Sequence, residues 1–285
     1  MQSKIMNKGD FMKAIKLLLT LVLFASYGKF AFATNEQELC QKSDRSCTFV
    51  LLSEGNQVTG ASENEIKIIN KTRANLPLSP FSTFKVANSL IGLDTGVIKN
   101  TKQKLTFNKE AYPVQAWWPP VWKLPSYDLT TAFKYSMVAI YRQLAKDIGE
   151  KNMRTYLDKM HYGNNDISSG LDSFWLNASL KISAVEQVIL LQKIYHNKLA
   201  FKASSIEALK EVMLVDSQPN YRIYAKTGAG KVSEGTMLGW YVGFVENSTG
   251  VHYFAFNFDS PSYAEMKAKR INIAMNHLKF AGIIK

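Results

Sequence analysis

The stretch YRIYAKTGAGKVSEGTMLGWYVGFVENSTGVHYFAFNFD, Tyr221 to Asp259, decides the fold class. Its apolar residues do not recur at helical spacing. YRIYAKTG, MLGWYVGFVE and VHYFAFNFD are rich in aromatic and β-branched residues and are parted by glycine-containing links, which is the pattern of successive strands. Glu246 to Gly250 supplies the turn between the last two. Helical spacing flanks this block, over Ser205 to Leu214 before it and Ala264 to Leu278 after it. Toward the N-terminus, CTFVLLSE (Cys47 to Glu54) and EIKIIN (Glu65 to Asn70), with turn signals at Gly55-Asn56 and Thr59-Gly60, predict a hairpin. Between the two strand blocks lie a helical zone from about Thr130 to Met160 and SAVEQVILLQKIYHN, which opens on a capping box, Ser183 and Glu186. Strands, helices, strands, helix: this order predicts an α+β fold. An antiparallel sheet flanked by helices draws strands from both chain ends, around a mainly helical subdomain inserted at about residues 100–215. Such a layout leaves a cleft between sheet and helices, a favoured place for a site.

The first residues belong to a different kind of segment. A basic start precedes the apolar run LLLTLVLFASY, Leu17 to Tyr27, and Ala31-Phe32-Ala33 offers a small-x-small cleavage site. This reads as a secretory signal peptide over residues 1–33, with Met12 as an alternative start. The run is shorter than the ~20 apolar residues a membrane-spanning helix needs. Residues 34–285 then form a single domain, exported to the periplasm and without stable membrane association.

Removal of residues 1–33 takes five lysines and Asp10, so the formal charge falls from +12 to +8. A basic exported protein attracts anions in general, and no nucleic-acid motif or aromatic-interleaved basic patch directs that charge to nucleic acid. In an oxidising compartment a disulfide between Cys40 and Cys47 would close a small loop and pin the first strand. The four histidines, His161, His196, His252 and His277, are scattered, so no metal-ligand spacing is present and no metal is expected. No G-x-S-x-G elbow is found either. The oligomeric state stays open between monomer and homodimer.

Candidate chemistry centres on PLSPFSTFKVANSLIGLDTG, Pro77 to Gly96, where Ser82 stands three residues before Lys85. On a helix that spacing places both side chains on one face. A serine hydroxyl needs a base, and a lysine serves as one if burial lowers its pKa; Phe81, Phe84 and Val86 offer apolar surroundings. Alone, the segment reads at least as well as a helix cap beside a solvated lysine, and Ser26 to Lys29 repeats the pattern within the leader. Four further pieces are each equally ordinary when taken singly. Lys226-Thr227-Gly228 ends a strand, Ser136-Met137-Val138 lies in the helical zone, Tyr162-Gly163-Asn164 makes a turn, and Trp175 suits a core.

Taken together and in this order, STFK, Ser-Met-Val, Tyr-Gly-Asn, the tryptophan and Lys-Thr-Gly resemble the class D (oxacillinase-type) serine β-lactamases over nearly the whole mature chain. Ser-Met-Val stands where the class A enzymes carry Ser-Asp-Asn. The resemblance implies a β-lactamase/transpeptidase-like fold, a small-molecule β-lactam substrate, and no cofactor beyond the CO2 or bicarbonate that carboxylates Lys85. It makes Ser82 the nucleophile and the N-carboxylated Lys85 its base. Trp175 would donate to the adduct, and Val138 and Leu176 would form an apolar lid over it. Ser136 and Lys226 would carry a proton to the departing nitrogen. Substrate would meet Thr227, Gly228 and the Tyr162-Gly163-Asn164 turn. The backbone N–H groups of Ser82 and Ala229 would bind the oxyanion. Within MKAKRIN, either Lys269 or Arg270 would grip the substrate carboxylate, and Trp117, Trp118 and Trp122 would form a loop beside the cleft. Two other readings share these motifs: a penicillin-sensing domain and a peptidoglycan transpeptidase or carboxypeptidase, both of which stay acylated.

Overall fold

The computed structural model describes residues 39–285 except 42, 43, 45, 56–64, 177 and 178. The segment read as a leader and the turn signals at Asn56, Thr59 and Gly60 lie outside the described residues. The hairpin strands are β1 (Cys47–Gly55) and β2 (Glu65–Ile69), followed by a short helix α1 (Lys71–Ala74). A 3-10 turn, Phe81–Phe84, leads into α2 (Lys85–Asp94). The helical part continues with α3 (Leu129–Lys134), α4 (Val138–Ile148), α5 (Glu150–Met160), α6 (Ala184–Tyr195) and α7 (Ala203–Met213). Then come β3 (Leu214–Gln218), β4 (Tyr221–Ser233), β5 (Thr236–Asn247), β6 (Gly250–Ser260) and the closing helix α8 (Tyr263–Phe280).

The strands form one antiparallel sheet in the order β2-β1-β6-β5-β4-β3. The N-terminal hairpin joins the C-terminal block through β1 and β6, from Cys47 opposite Phe258 to Gly55 opposite Gly250. Both faces are covered, and strand alternation sorts the side chains. Val50, Leu52, Trp240, Val242 and Phe244 face the helical part, whereas Phe49, Leu51, Tyr241, Val245 and Phe254 pack with Met266, Ile273 and Leu278 of α8. Burial on two faces is why the β5 sequence is an almost unbroken apolar run.

Two local outcomes differ from expectation, and two agree with it. The zone from Thr130 to Met160 is three helices: Ser136 takes a left-handed φ of 54° between α3 and α4, and Gly149 parts α4 from α5. Strand β3 was not expected. It pairs only with Tyr221 to Tyr224, so β3 leaves the later half of β4 uncovered on that edge. The capping box at Ser183 is present in both halves, Ser183 accepting from the Glu186 N–H and Glu186 from the Ser183 N–H. Cys40 and Cys47 form a disulfide.

Candidate active site

The segment before Ser82 cannot continue a helix backward. Pro80 fixes its own φ near −70°, and Phe81 turns to a left-handed φ of 48°. Ser82 therefore lies inside the 3-10 turn rather than capping an α-helix, and no side chain caps that turn. Lys85 starts α2, whose ten residues are all buried. Its side chain is wholly buried, and Nζ lies 2.8 Å from Ser82 Oγ. Burial holds this amine down to about 7 from the usual 10.5, because the charged form loses its hydration. Within the same pocket the Tyr141 ring faces Nζ at 5.1 Å from its centroid.

The second polar pair crosses from sheet to helices. Lys226 Nζ, on β4, donates to Ser136 Oγ and, at 3.1 Å, to the Thr227 carbonyl. Lys226 is 3% exposed. Burial first, then the neighbouring charges of Lys85 and Arg270, lowers its pKa well below the ordinary lysine value. Ser136 points its hydroxyl into the cleft because its left-handed turn breaks the helix there. The serine is not bonded within a continuous helix, which was the ordinary reading of an apolar helical segment.

Trp175 is completely buried and stacks on Phe84 at 5.3 Å. Its indole N–H has no hydrogen-bond partner among the described residues. A buried donor left unmade costs ~1–3 kcal/mol, so such a group marks a place for an acceptor. Val138 begins α4, and Leu176 packs against the same core.

The last helix settles the register around MKAKRIN. Arg270 Nη1 donates to the Gly228 carbonyl at 3.2 Å, while its Nε is buried without a partner among the described residues. Lys269 turns the other way and pairs with Glu265 at 3.1 Å. Arg270 thus stands at β4 beside Thr227, Gly228 and Ala229, and Lys269 does not.

Within the Tyr-Gly-Asn turn, Tyr162 packs beneath the nucleophile turn, whereas Asn164 is exposed. Tyr162 is 1% exposed and meets Phe84 edge-on at 5.4 Å. Asn164 accepts from the Lys181 N–H and donates to the Ser179 carbonyl. Gly163 admits the Lys181 carbonyl where a Cβ would clash at 1.8 Å. The three tryptophans form a mutual edge-on cluster with ring centroids 5.5–6.2 Å apart. A cavity of about 240 Å³ lies between this loop and Val138, lined also by Tyr112 and Arg142.

Sequence reading missed Tyr141 and Gln187. Gln187 donates to Thr83 Oγ1, which in turn donates to the Pro80 carbonyl and stiffens the turn. No sequence signal distinguishes these residues from ordinary core positions. Among the described residues, no group of three or more His, Cys, Asp or Glu is placed to hold a metal ion.

The fold is that of the penicillin binding protein transpeptidase domain, whose profile residues 49–278 match. The OXA-48 β-lactamase of Klebsiella pneumoniae is 42% identical over 193 residues, 68% of this chain and 70% of that protein. The OXA-10 β-lactamase of Pseudomonas aeruginosa is 34% identical over 250 residues, 86% of this chain and 84% of its own. Among solved structures, FUS-1 (OXA-85), a class D β-lactamase from Fusobacterium nucleatum subsp. polymorphum, superposes with a TM-score of 0.74. It is 33% identical, over 84% of this chain and 93% of the other. The chain belongs to the class D β-lactamases.

Proposed function

We propose that this protein hydrolyses the amide bond of penicillins through an acyl-enzyme on Ser82, and so confers resistance to them. The observation that carries the reading is the wholly buried Lys85 amine 2.8 Å from Ser82 Oγ, in a core that also holds the unpartnered Trp175 N–H.

An uncharged amine is what CO2 requires, and burial supplies it. The carbamate that results is an anion and needs a donor, which fits the orphaned indole N–H. When carboxylated, Lys85 is the base for the Ser82 proton and later for the hydrolytic water. Ser82 Oγ bonds to the lactam carbonyl carbon, and the oxyanion forms against the N–H groups of Ser82 and Ala229. The C–N bond then breaks. Ser136 passes a proton to the leaving nitrogen and is reprotonated by Lys226, its hydrogen-bonded neighbour. Lys226 regains the proton that the carboxylated Lys85 took from Ser82, which leaves that base free for the water. Water next adds to the ester carbonyl, and the C–O bond to Ser82 breaks as the hydroxyl recovers its proton. Val138 and Leu176 keep bulk water from Lys85. Thr227 and Arg270 hold the substrate carboxylate, Arg270 through the planar fork that lysine lacks. Tyr162 and Asn164 act by fixing the turn below Phe84, not by touching substrate.

In this reading residues 34–285 are one catalytic domain that works in the periplasm, after cleavage of the leader, as a monomer or homodimer. The test is hydrolysis of benzylpenicillin with and without added bicarbonate. Multiple turnover that rises with bicarbonate is expected. A single stoichiometric burst with no further turnover would overturn hydrolysis in favour of a protein that stays acylated, a sensor or a transpeptidase.

A further inference from the structure

Phe81, the residue immediately before Ser82, has a left-handed φ of 48°. For a bulky side chain this is an outlier that costs ~1–3 kcal/mol and persists only where the surroundings over-determine it. Two contacts do so. The Phe81 N–H donates to the Trp175 carbonyl at 3.1 Å, tying the turn to the loop that carries the indole. The ring, 4% exposed, fills the space over Gly230 of β4. A Cβ on Gly230 would lie 1.9 Å from the ring edge, and one on Gly228 would lie 2.9 Å from the Pro80 carbonyl. Residues two apart on a strand share a face. Gly228 and Gly230 therefore form a notch along β4, and the Pro80-Phe81 backbone and ring sit in it. Ala229, whose side chain points to the other face, lies between them and carries the N–H proposed for the oxyanion.

We infer that Phe81 is a positioning residue: its ring, seated in the Gly228–Gly230 notch, fixes the separation of the Ser82 nucleophile from the β4 groups that bind the substrate carbonyl and carboxylate. The inference rests on the acyl transfer proposed above. An attacking oxygen displaced by about 1 Å from its target costs on the order of 10²-fold in rate, so the seating controls acylation without touching substrate. The strained φ and the ring act together. The strain aims the ring into the notch, and the notch prevents the turn from relaxing.

The experiment measures the rate constant of acylation by a fluorescent penicillin, per titratable serine, at a temperature where each variant is folded by circular dichroism. Wild type, Gly230→Ala, Phe81→Ala and the double variant are compared. Gly230→Ala pushes the ring out of its seat and is expected to slow acylation by ~10–100-fold. Phe81→Ala removes the obstruction, so the double variant is expected to acylate at least several-fold faster than Gly230→Ala alone. Independent contributions to stability would make the double variant worse than either single change, and that order overturns the inference. Gly230→Ala acylating within twofold of wild type overturns it as well. If Gly230→Ala does not fold, Phe81→Leu decides: it keeps an apolar side chain but vacates the notch. A loss of roughly tenfold supports the lock, and a rate within twofold of wild type overturns it. Failure of the wild type itself to label would instead remove the proposed function.

Discussion

Lys226 Nζ donates to Ser136 Oγ, joining β4 to the break between α3 and α4 across 90 residues of sequence. The lysine is buried and the serine half-buried, and the lysine has no carboxylate partner at hydrogen-bond distance among the described residues. A lysine with so low a pKa can give up and regain a proton without leaving its place. Ser136→Ala is expected to slow acylation of benzylpenicillin by ~10²-fold or more, the usual size of one positioned proton-transfer group. Lys226→Met should do the same, and the double variant should be little worse than either if the two act as the one relay proposed above. Stopped-flow acylation rates check this; fold-losses that multiply would separate the two residues.

Trp175→Phe keeps the stack on Phe84 and deletes only the indole N–H. A hydrogen bond to a charged group is worth ~1.5–3 kcal/mol, so the bicarbonate concentration that half-restores activity should rise by ~10–100-fold. Carbon-13 NMR with labelled bicarbonate reads the carbamate directly. An unchanged midpoint would leave the buried N–H without the role proposed for it.

Arg270 and Lys269 are adjacent in sequence but leave α8 in different directions, since each helical residue turns by about 100°. Arg270→Ala is expected to raise KM for penicillins by ~10–100-fold, the loss of a charge-assisted contact. A penicillin amide or ester, without the carboxylate, should lose far less. Lys269→Ala removes an exposed i,i+4 pair with Glu265, of the kind worth at most ~1 kcal/mol, and should leave KM within about twofold. Steady-state kinetics on the paired substrates tests both.

What the sequence made legible follows from what chemistry and packing demand locally. Ser82 and Lys85 must be one turn apart, so their spacing survives as a readable pattern, and the two-sided burial of β5 shows as its apolar run. The break at Ser136 was invisible because AFKYSMVAIY keeps a helical apolar rhythm through the turn. Strand β3 follows α7 with no glycine or proline to mark the boundary, and LVDSQ is a short, largely exposed edge. Which of Lys269 and Arg270 faces β4 depends on a one-residue register that helical periodicity alone does not fix. The seating of Phe81 on Gly230 joins residues from distant strands and turns, and neither carries a local mark of the other.

Lys85, the proposed base, is also a structural burden. Its folded pKa of about 7 lies below the unfolded value of 10.5, so between these pH values the unfolded chain binds the extra proton. Stability conferred by deprotonated burial is therefore present above pH 10.5 and is lost as pH falls to about 7, with no further loss below that from this group. In CO2-depleted buffer, Lys85→Met should abolish hydrolysis yet stabilise the fold by about 1–4 kcal/mol at pH 7, as when a buried charge gives way to an apolar side chain. The gain should shrink toward pH 10. Urea unfolding of both proteins across pH 6 to 10 measures it, and a less stable methionine variant at pH 7 would contradict the burial cost.

His277 gives a separate pH signature at the far face of the sheet. Its Nε2 accepts from the Cys40 N–H at 2.9 Å, and its ring stacks on Phe49 at 4.4 Å. Accepting requires the neutral ring, and burial holds the pKa down to about 4 from 6.5. The folded state thus binds fewer protons than the unfolded chain between those values. The stability it contributes is full above pH 6.5 and is lost as pH falls through about 4. His277→Gln, which can offer an amide oxygen to the same N–H but does not titrate, should flatten the decline in thermal midpoint between pH 6.5 and 4. Wild type and variant falling in parallel over that range would show that another group governs the acid loss.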